Sequence, residues 1–239
     1  MESSTVVAND ATALRVRTCG AGPDLLVLSG GPGCVNYLAD RDLAPDGFTC
    51  WFPDPRGVDA SEGGPHDMAR AVADLEDVRR AIGTDSWIVL GHSWGSDLAV
   101  RYAIDHPAGV RGVVGIAGHG LHRDREWSAA YEAGRATAVD PVEIRFVPEV
   151  HEALWDSFKE WIHQPRLWRR LADSPVPMRF VAAGADIRPD WPIRQLANLV
   201  PDATFEVVDD VVHDFWFTDP DTWRAVCTRA AGSVARPSR

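Results

Sequence analysis

Apolar positions along this chain follow two rhythms, and the switches between them predict its elements. Thr12–Thr18 alternates polar and apolar residues and predicts an early edge strand. Asp24–Ser29, Phe48–Phe52, Ser86–Leu90, Val110–Ala117, Met178–Gly184 and Thr204–Val208 are short and mostly apolar or β-branched, and most read as buried strands of a parallel sheet. Between them the spacing turns helical. Met68, Ala71, Val72, Leu75, Val78 and Ile82 form one stripe, which Pro65 is expected to open as a first-turn proline and Gly83 to close. Leu98, Ala99 and Tyr102 mark a second helix that ends before Pro107. Trp191–Leu199 and Asp219–Ala231 predict two more, and the tail Arg236–Arg239 is expected to fray.

Strands alternating with helices predict an α/β fold, a mostly parallel, doubly wound sheet. From Gly118 to Pro177 the strand pattern stops, and two or three amphipathic helices replace it. The clearest runs from Pro148 to Gln164, with Val150, Leu154, Phe158, Trp161 and Ile162 on one face. The expected organisation is a core domain of residues 1–117 and 178–239, with 118–177 inserted as a helical cap over the sheet's C-terminal edge.

Length allows one α/β domain with an insertion, large enough to bury a core unaided by disulfides or metals. The net charge of −11 argues against nucleic acid and against an anionic membrane surface as partners. No apolar run approaches a membrane span, and residues 1–4 show no basic or apolar leader. Cys19, Cys34, Cys50 and Cys227 are scattered without C-x-x-C spacing, which predicts free thiols in a reducing, cytoplasmic setting.

The chemistry concentrates at Gly91-His92-Ser93-Trp94-Gly95, a G-x-S-x-G run between a predicted strand and a predicted helix. A serine presented at so sharp a turn needs small flanking residues. Its hydroxyl also needs a base, and the base a group that holds its tautomer. In doubly wound hydrolases these follow in the order Ser, Asp or Glu, His. Asp186 lies just past the strand ending at Gly184, and His213 is the one histidine after it. Asp190, Asp202, Asp209 and Asp210 are weaker acid candidates, farther from the right strand end. The oxyanion formed by attack on a carbonyl needs preorganised donors. The Trp94 N–H and the loop Gly30-Gly31-Pro32-Gly33, with Gly31 the better donor, are expected to supply them.

Other polar residues carry weaker signals. His92 reads as a packing residue, and His119 and His122 lack a third ligand of metal-site spacing, so neither metal nor cofactor is expected. Trp127, Trp155, Trp161 and Trp168 are expected to fill the cap–sheet interface, with one or two walling a substrate pocket. Glu126, Glu132, Glu143, Glu149, Glu152 and Glu160 read as surface charges, any of which could bind a cationic group if turned inward.

Gly30-Gly31-Pro32-Gly33, Asp54-x-Arg56-Gly57, Gly91-His92-Ser93-Trp94-Gly95-Ser96, Asp186 with Pro189, and His213 before Phe215-Trp216 together resemble the signature set of α/β-hydrolases of the proline iminopeptidase group. The likeness spans residues 12–117 and 178–235. It implies the α/β-hydrolase fold and a triad of Ser93, Asp186 and His213, with an oxyanion hole at Gly31 and Trp94. The chain departs from that group in three places. Ser29 stands where a histidine usually precedes the G-G-P-G run, His92 replaces a glycine, and the cap is shorter than the one that supplies acidic amine-binding residues. The expected function is a serine hydrolase that forms an acyl-enzyme. Its substrate would be a small molecule or short peptide with an ester, amide or N-terminal peptide bond. A thioesterase, acyltransferase or cyclase, or a ligand-binding protein on the same fold, is the alternative.

Overall fold

The computed structural model describes residues 1–122, 124–136, 138 and 142–235. Eight strands form one sheet in the spatial order β1-β2-β4-β3-β5-β6-β7-β8. They are β1 (Glu2–Val7), β2 (Ala13–Gly20), β3 (Asp24–Leu28), β4 (Thr49–Pro53), β5 (Trp87–His92), β6 (Val110–Ile116), β7 (Met178–Ala183) and β8 (Ala203–Val208). β1 and β2 pair antiparallel, as do β2 and β4, and every other pairing is parallel.

The continuous apolar runs divide between two faces, because side chains on a strand alternate. Leu26, Leu28, Trp87, Val89 and Val113 join one buried cluster. Leu25, Val27, Ile88, Leu90, Val114 and Ile116 join the other. The first face is covered by α1 (Met68–Ala81), α2 (Trp94–Asp105) and α6 (Trp191–Leu199). The second is covered by α8 (Pro220–Ala235), through Trp223, Cys227, Ala230 and Ala231. α3 (Arg125–Arg135), α4 (Pro148–Ile162) and α5 (Leu167–Ala172) lie between β6 and β7 in the chain. Val150, Leu154, Phe158 and Trp161 of α4 bury their stripe in the first cluster. A short α7 (Phe215–Thr218) follows β8.

Several expectations need correction. The edge strand on this side is β1, not the run Thr12–Thr18. Glu2–Val7 pairs along β2, so β2 is flanked on both sides. The first residues hide this strand because Val6 alone among them is buried. Pro65 does not open α1. Asp67 caps that helix, its carboxylate accepting from the Arg70 N–H at 2.7 Å, and Met68 is the first helical residue. Gly83 does follow the helix end, at φ +77°. The tail 236–239 lies outside the described residues, as do 123, 137 and 139–141 of the inserted segment. Among the described residues, no helix is long and apolar enough to cross a membrane. All four cysteines are free thiols.

β3 has β4 on one side and β5 on the other. The chain therefore leaves β3 and β5 in a crevice at the carboxyl ends of the strands, where ligands bind in open α/β sheets.

Candidate active site

Three loops meet in that crevice. The first follows β5. Ser93 sits between strand and α2 at φ 54° and ψ −126°, a backbone region disfavoured for any side chain. Close packing enforces the turn. A Cβ on Gly91 would lie 2.1 Å from the Gly95 carbonyl oxygen, and one on Gly95 would lie 2.5 Å from that of Ser29. The glycines on either side of the serine are thus required by space.

The second loop follows β8. His213 turns its ring toward Ser93, with Nε2 3.1 Å from the Ser93 Oγ. Its Nδ1 lies 2.6 Å from Oδ2 of Asp186, on the loop after β7. The other Asp186 oxygen accepts from the Arg188 backbone N–H at 2.9 Å and from its guanidinium at 3.1 Å. Burial works to raise the Asp186 pKa. The charge and hydrogen bond of His213, with Arg188 behind them, outweigh it and hold the carboxyl well below its usual range. The rejected acids lie elsewhere. Asp190 pairs with Arg194, Asp202 pairs with Arg179, and Asp209 and Asp210 are exposed.

The third loop, Gly30 to Gly33, follows β3. A Cβ on Gly30 would come 2.5 Å from the Ser93 Cβ, so only glycine lets this loop approach the serine. Gly31, at φ +67°, lines the same cavity as Ser93. The inserted segment clamps this loop. Val147 N–H donates to the Gly33 carbonyl at 2.9 Å, and the His151 Nδ1 lies 2.8 Å from that of Pro32. Trp94 begins α2, so its N–H has no partner within the helix. Trp94 lines a second, smaller cavity of about 60 Å³ beside Leu14, Leu98 and Leu154.

Above Ser93 opens a cavity of about 370 Å³. His213, Gly30, Gly31 and Pro32 line it, as do Val142, Ile144, His151 and Trp155 from the segment between β6 and β7. Of Trp127, Trp155, Trp161 and Trp168, only Trp155 lines this cavity, while Trp127 and Trp161 are buried. Glu126, Glu132, Glu143, Glu149, Glu152 and Glu160 are all exposed. The charged groups lining the cavity are instead Arg188 and Asp214, which no sequence pattern singled out. Cys34 also lines it, but desolvation pushes its thiol up to about 11, so it is protonated at neutral pH. The Asp54-x-Arg56-Gly57 signature is structural. Asp54 is held at 2.6 Å by both Arg15 and Arg17, and Arg56 binds Asp74 at 2.6 Å.

A family described as the alpha/beta hydrolase fold matches residues 23–144, just over half of the chain. A proline iminopeptidase of Neisseria gonorrhoeae is 35% identical over 139 residues, which cover 55% of this chain and 44% of that protein. A probable proline iminopeptidase of Streptomyces coelicolor is 30% identical over 172 residues, covering 67% of this chain and 51% of the relative. The chain thus spans about half the length of the curated relatives it matches. Among solved structures, a proline iminopeptidase of Mycobacterium smegmatis superposes with a TM-score of 0.75 at 21% identity, covering 98% of each chain. An esterase of Exiguobacterium antarcticum superposes with a TM-score of 0.72 at 16% identity, covering 96% of this chain and 99% of that one. The sheet order, the G-x-S-x-G turn after β5 and the match across residues 23–144 agree, and the chain belongs to the α/β-hydrolase fold family.

Proposed function

We propose that this protein is a serine hydrolase that works through an acyl-enzyme on a small ester, thioester or amide. One observation carries the reading: a hydroxyl at a strained turn lies 3.1 Å from an imidazole whose other nitrogen is 2.6 Å from a buried carboxylate. In the proposed cycle the Ser93 Oγ attacks the carbonyl carbon while His213 Nε2 takes its proton. Asp186 holds His213 in the Nδ1–H tautomer and stabilises the imidazolium. The N–H groups of Gly31 and Trp94 receive the oxyanion. His213 then protonates the leaving group, and a water activated by the same ring releases the acid.

The inserted segment 118–177 is read as a cap that sets substrate choice. Its Trp155 and His151 support this, since they line the same cavity as Ser93. An aminopeptidase must also offset the charge of a substrate ammonium, because a buried unpaired cation is costly. The exposed cap glutamates do not serve that need, and Arg188 opposes it. Ester or thioester hydrolysis is therefore placed ahead of peptidase activity. Asp214 is the carboxylate on which a peptidase would depend.

The test begins with a fluorophosphonate and intact-mass analysis. The expected result is a single adduct on Ser93, lost in Ser93→Ala. Turnover of aryl esters, acyl thioesters and aminoacyl arylamides is then compared. Efficient arylamide cleavage that Asp214→Asn weakens, with N-acylated analogues unaffected, would reverse the preference for esters. An unlabelled wild-type protein would remove the hydrolase reading itself.

A further inference from the structure

His92, which precedes Ser93 in the chain, is fully buried, and both of its ring nitrogens are engaged. Nε2 lies 3.0 Å from the main-chain carbonyl oxygen of His213. A carbonyl can only accept, so Nε2 carries the hydrogen. Nδ1 of the neutral ring is then an acceptor, and its partner is the Tyr37 hydroxyl at 2.6 Å. That hydroxyl in turn accepts from the Gly30 N–H at 2.7 Å. The bonds run in one direction, from Gly30 N–H to Tyr37 Oη, from Tyr37 O–H to His92 Nδ1, and from His92 Nε2–H to the His213 carbonyl. Each hydrogen-bonding atom in the series is satisfied.

We propose that His92 and Tyr37 are positioning residues, whose relay ties the glycine loop after β3 and the main chain of His213 to the turn that carries Ser93. This rests on reading Ser93 and His213 as nucleophile and base. A residue that merely filled space would not need two aligned polar partners, and burying two ring nitrogens is tolerable only when both are paired. Burial, reinforced by the nearby His213, holds the ring neutral by lowering its pKa well below the usual histidine value. A second hydrogen on Nδ1 would also force the Tyr37 O–H to turn away and break the relay. The rings are packed as well as bonded. Tyr37 stacks on Trp216 with centroids 4.5 Å apart, and Trp223 meets His92 edge-on at 5.5 Å. His92, His213 and Asp214 place ligand-type atoms close enough to suggest a metal, but the His92 nitrogens are already committed. The relay also commits the Gly30 N–H to Tyr37, so that group is not the loop's donor to an oxyanion.

The role can be tested in two independent ways. Nitrogen NMR of the histidine-labelled wild-type protein at neutral pH reads the tautomer directly. A protonated Nε2 and an unprotonated Nδ1 on His92 are expected, whereas the opposite tautomer or an imidazolium would overturn the relay. Tyr37→Phe keeps the aromatic ring and deletes one hydroxyl. Its kcat for p-nitrophenyl acetate should fall roughly tenfold or more with KM little changed, as expected when reacting groups drift from alignment. His92→Gln can still donate an amide hydrogen toward the His213 carbonyl and should retain more kcat than His92→Leu, each checked for folding by circular dichroism. Wild-type kcat in folded Tyr37→Phe, or equal losses in folded His92→Gln and His92→Leu, would reduce the pair to packing. Fluorophosphonate labelling of the wild-type protein separates the two levels of inference. Its failure would sink the nucleophile reading and the positioning role with it, while the tautomer would still stand or fall by NMR.

Discussion

Ser93 holds a backbone conformation, φ 54° and ψ −126°, that costs a residue with a side chain on the order of 1–3 kcal/mol. Ser93→Ala keeps that strain and removes the proposed nucleophile. It is expected to lower kcat by a factor on the order of 10³ or more at a nearly unchanged melting temperature. Ser93→Gly should be equally inactive yet melt higher, because glycine adopts this region freely. Kinetics and thermal denaturation on the two variants check both statements, and retained turnover in either would remove Ser93 from the mechanism. Asp186→Asn should lower kcat on the order of 10³-fold, since an amide facing His213 Nδ1 favours the wrong tautomer. Asp210→Asn, at an exposed turn residue, should be nearly silent, and the reverse ranking would mean that the wrong carboxylate was chosen. Gly30→Ala brings a methyl to 2.5 Å from the Ser93 Cβ and should lower both melting temperature and kcat.

At the scale of elements, α1 shows how a polar network can stand inside an apolar interface. Its stripe was legible from residue spacing, but Asp74 and Glu76 are also buried. Glu76 receives Arg79 through two bonds of 2.8 and 2.9 Å and the Tyr102 hydroxyl of α2 at 2.6 Å. Tyr102 in turn accepts from the Trp87 indole of β5 at 3.2 Å. The hydrogen bond from Arg79 outweighs burial, and Tyr102 adds to it, so the carboxyl pKa falls to about 2. A carboxylate whose pKa is lower folded than unfolded contributes stability above its unfolded value, roughly pH 4.3, and loses it as pH falls toward the folded one. The stability gap between wild type and Glu76→Gln should therefore be open at pH 7 and narrow between about pH 5 and pH 2. Urea denaturation of both proteins across that range measures it, and a gap independent of pH would mean that the charge of Glu76 is not what stabilises the helix pair.

At the scale of the whole molecule, the sheet brings the proposed triad together from three loops, and residues between β6 and β7 line the cavity beside it. Trp155 is one of them. It lines the cavity and stacks on Phe158 with centroids 5.4 Å apart. Trp155→Ala enlarges the cavity without touching Ser93, Asp186 or His213. It is expected to shift the ratio of kcat/KM between long-chain and short-chain acyl esters by roughly tenfold or more, in favour of the longer. An unchanged ratio would place substrate choice outside the inserted segment.

The proposed Ser93, Asp186 and His213, the parallel strands and the helical insertion were all legible in the residues, because each leaves a local mark. A sharp turn requires glycines at fixed offsets, a buried strand requires a short apolar run, and a helix against a core requires an apolar stripe. β1 left no such mark, since one buried valine in six residues is no pattern and its place comes from pairing along β2. Pro65 misled because a proline before a stripe resembles a first helical turn, while the side chain of Asp67 caps the helix. Tyr37, Arg188 and Asp214 were invisible for a different reason. Tyr37 lies 55 residues from the His92 it binds, and Arg188 and Asp214 become cavity residues only through the turns that follow Asp186 and His213. The sequence by itself determined which chemical groups are present and the order in which the chain delivers them to the sheet edge. The tertiary structure alone decided which polar atoms face each other there, because hydrogen bonds between distant loops depend on packing and leave no periodicity in the chain.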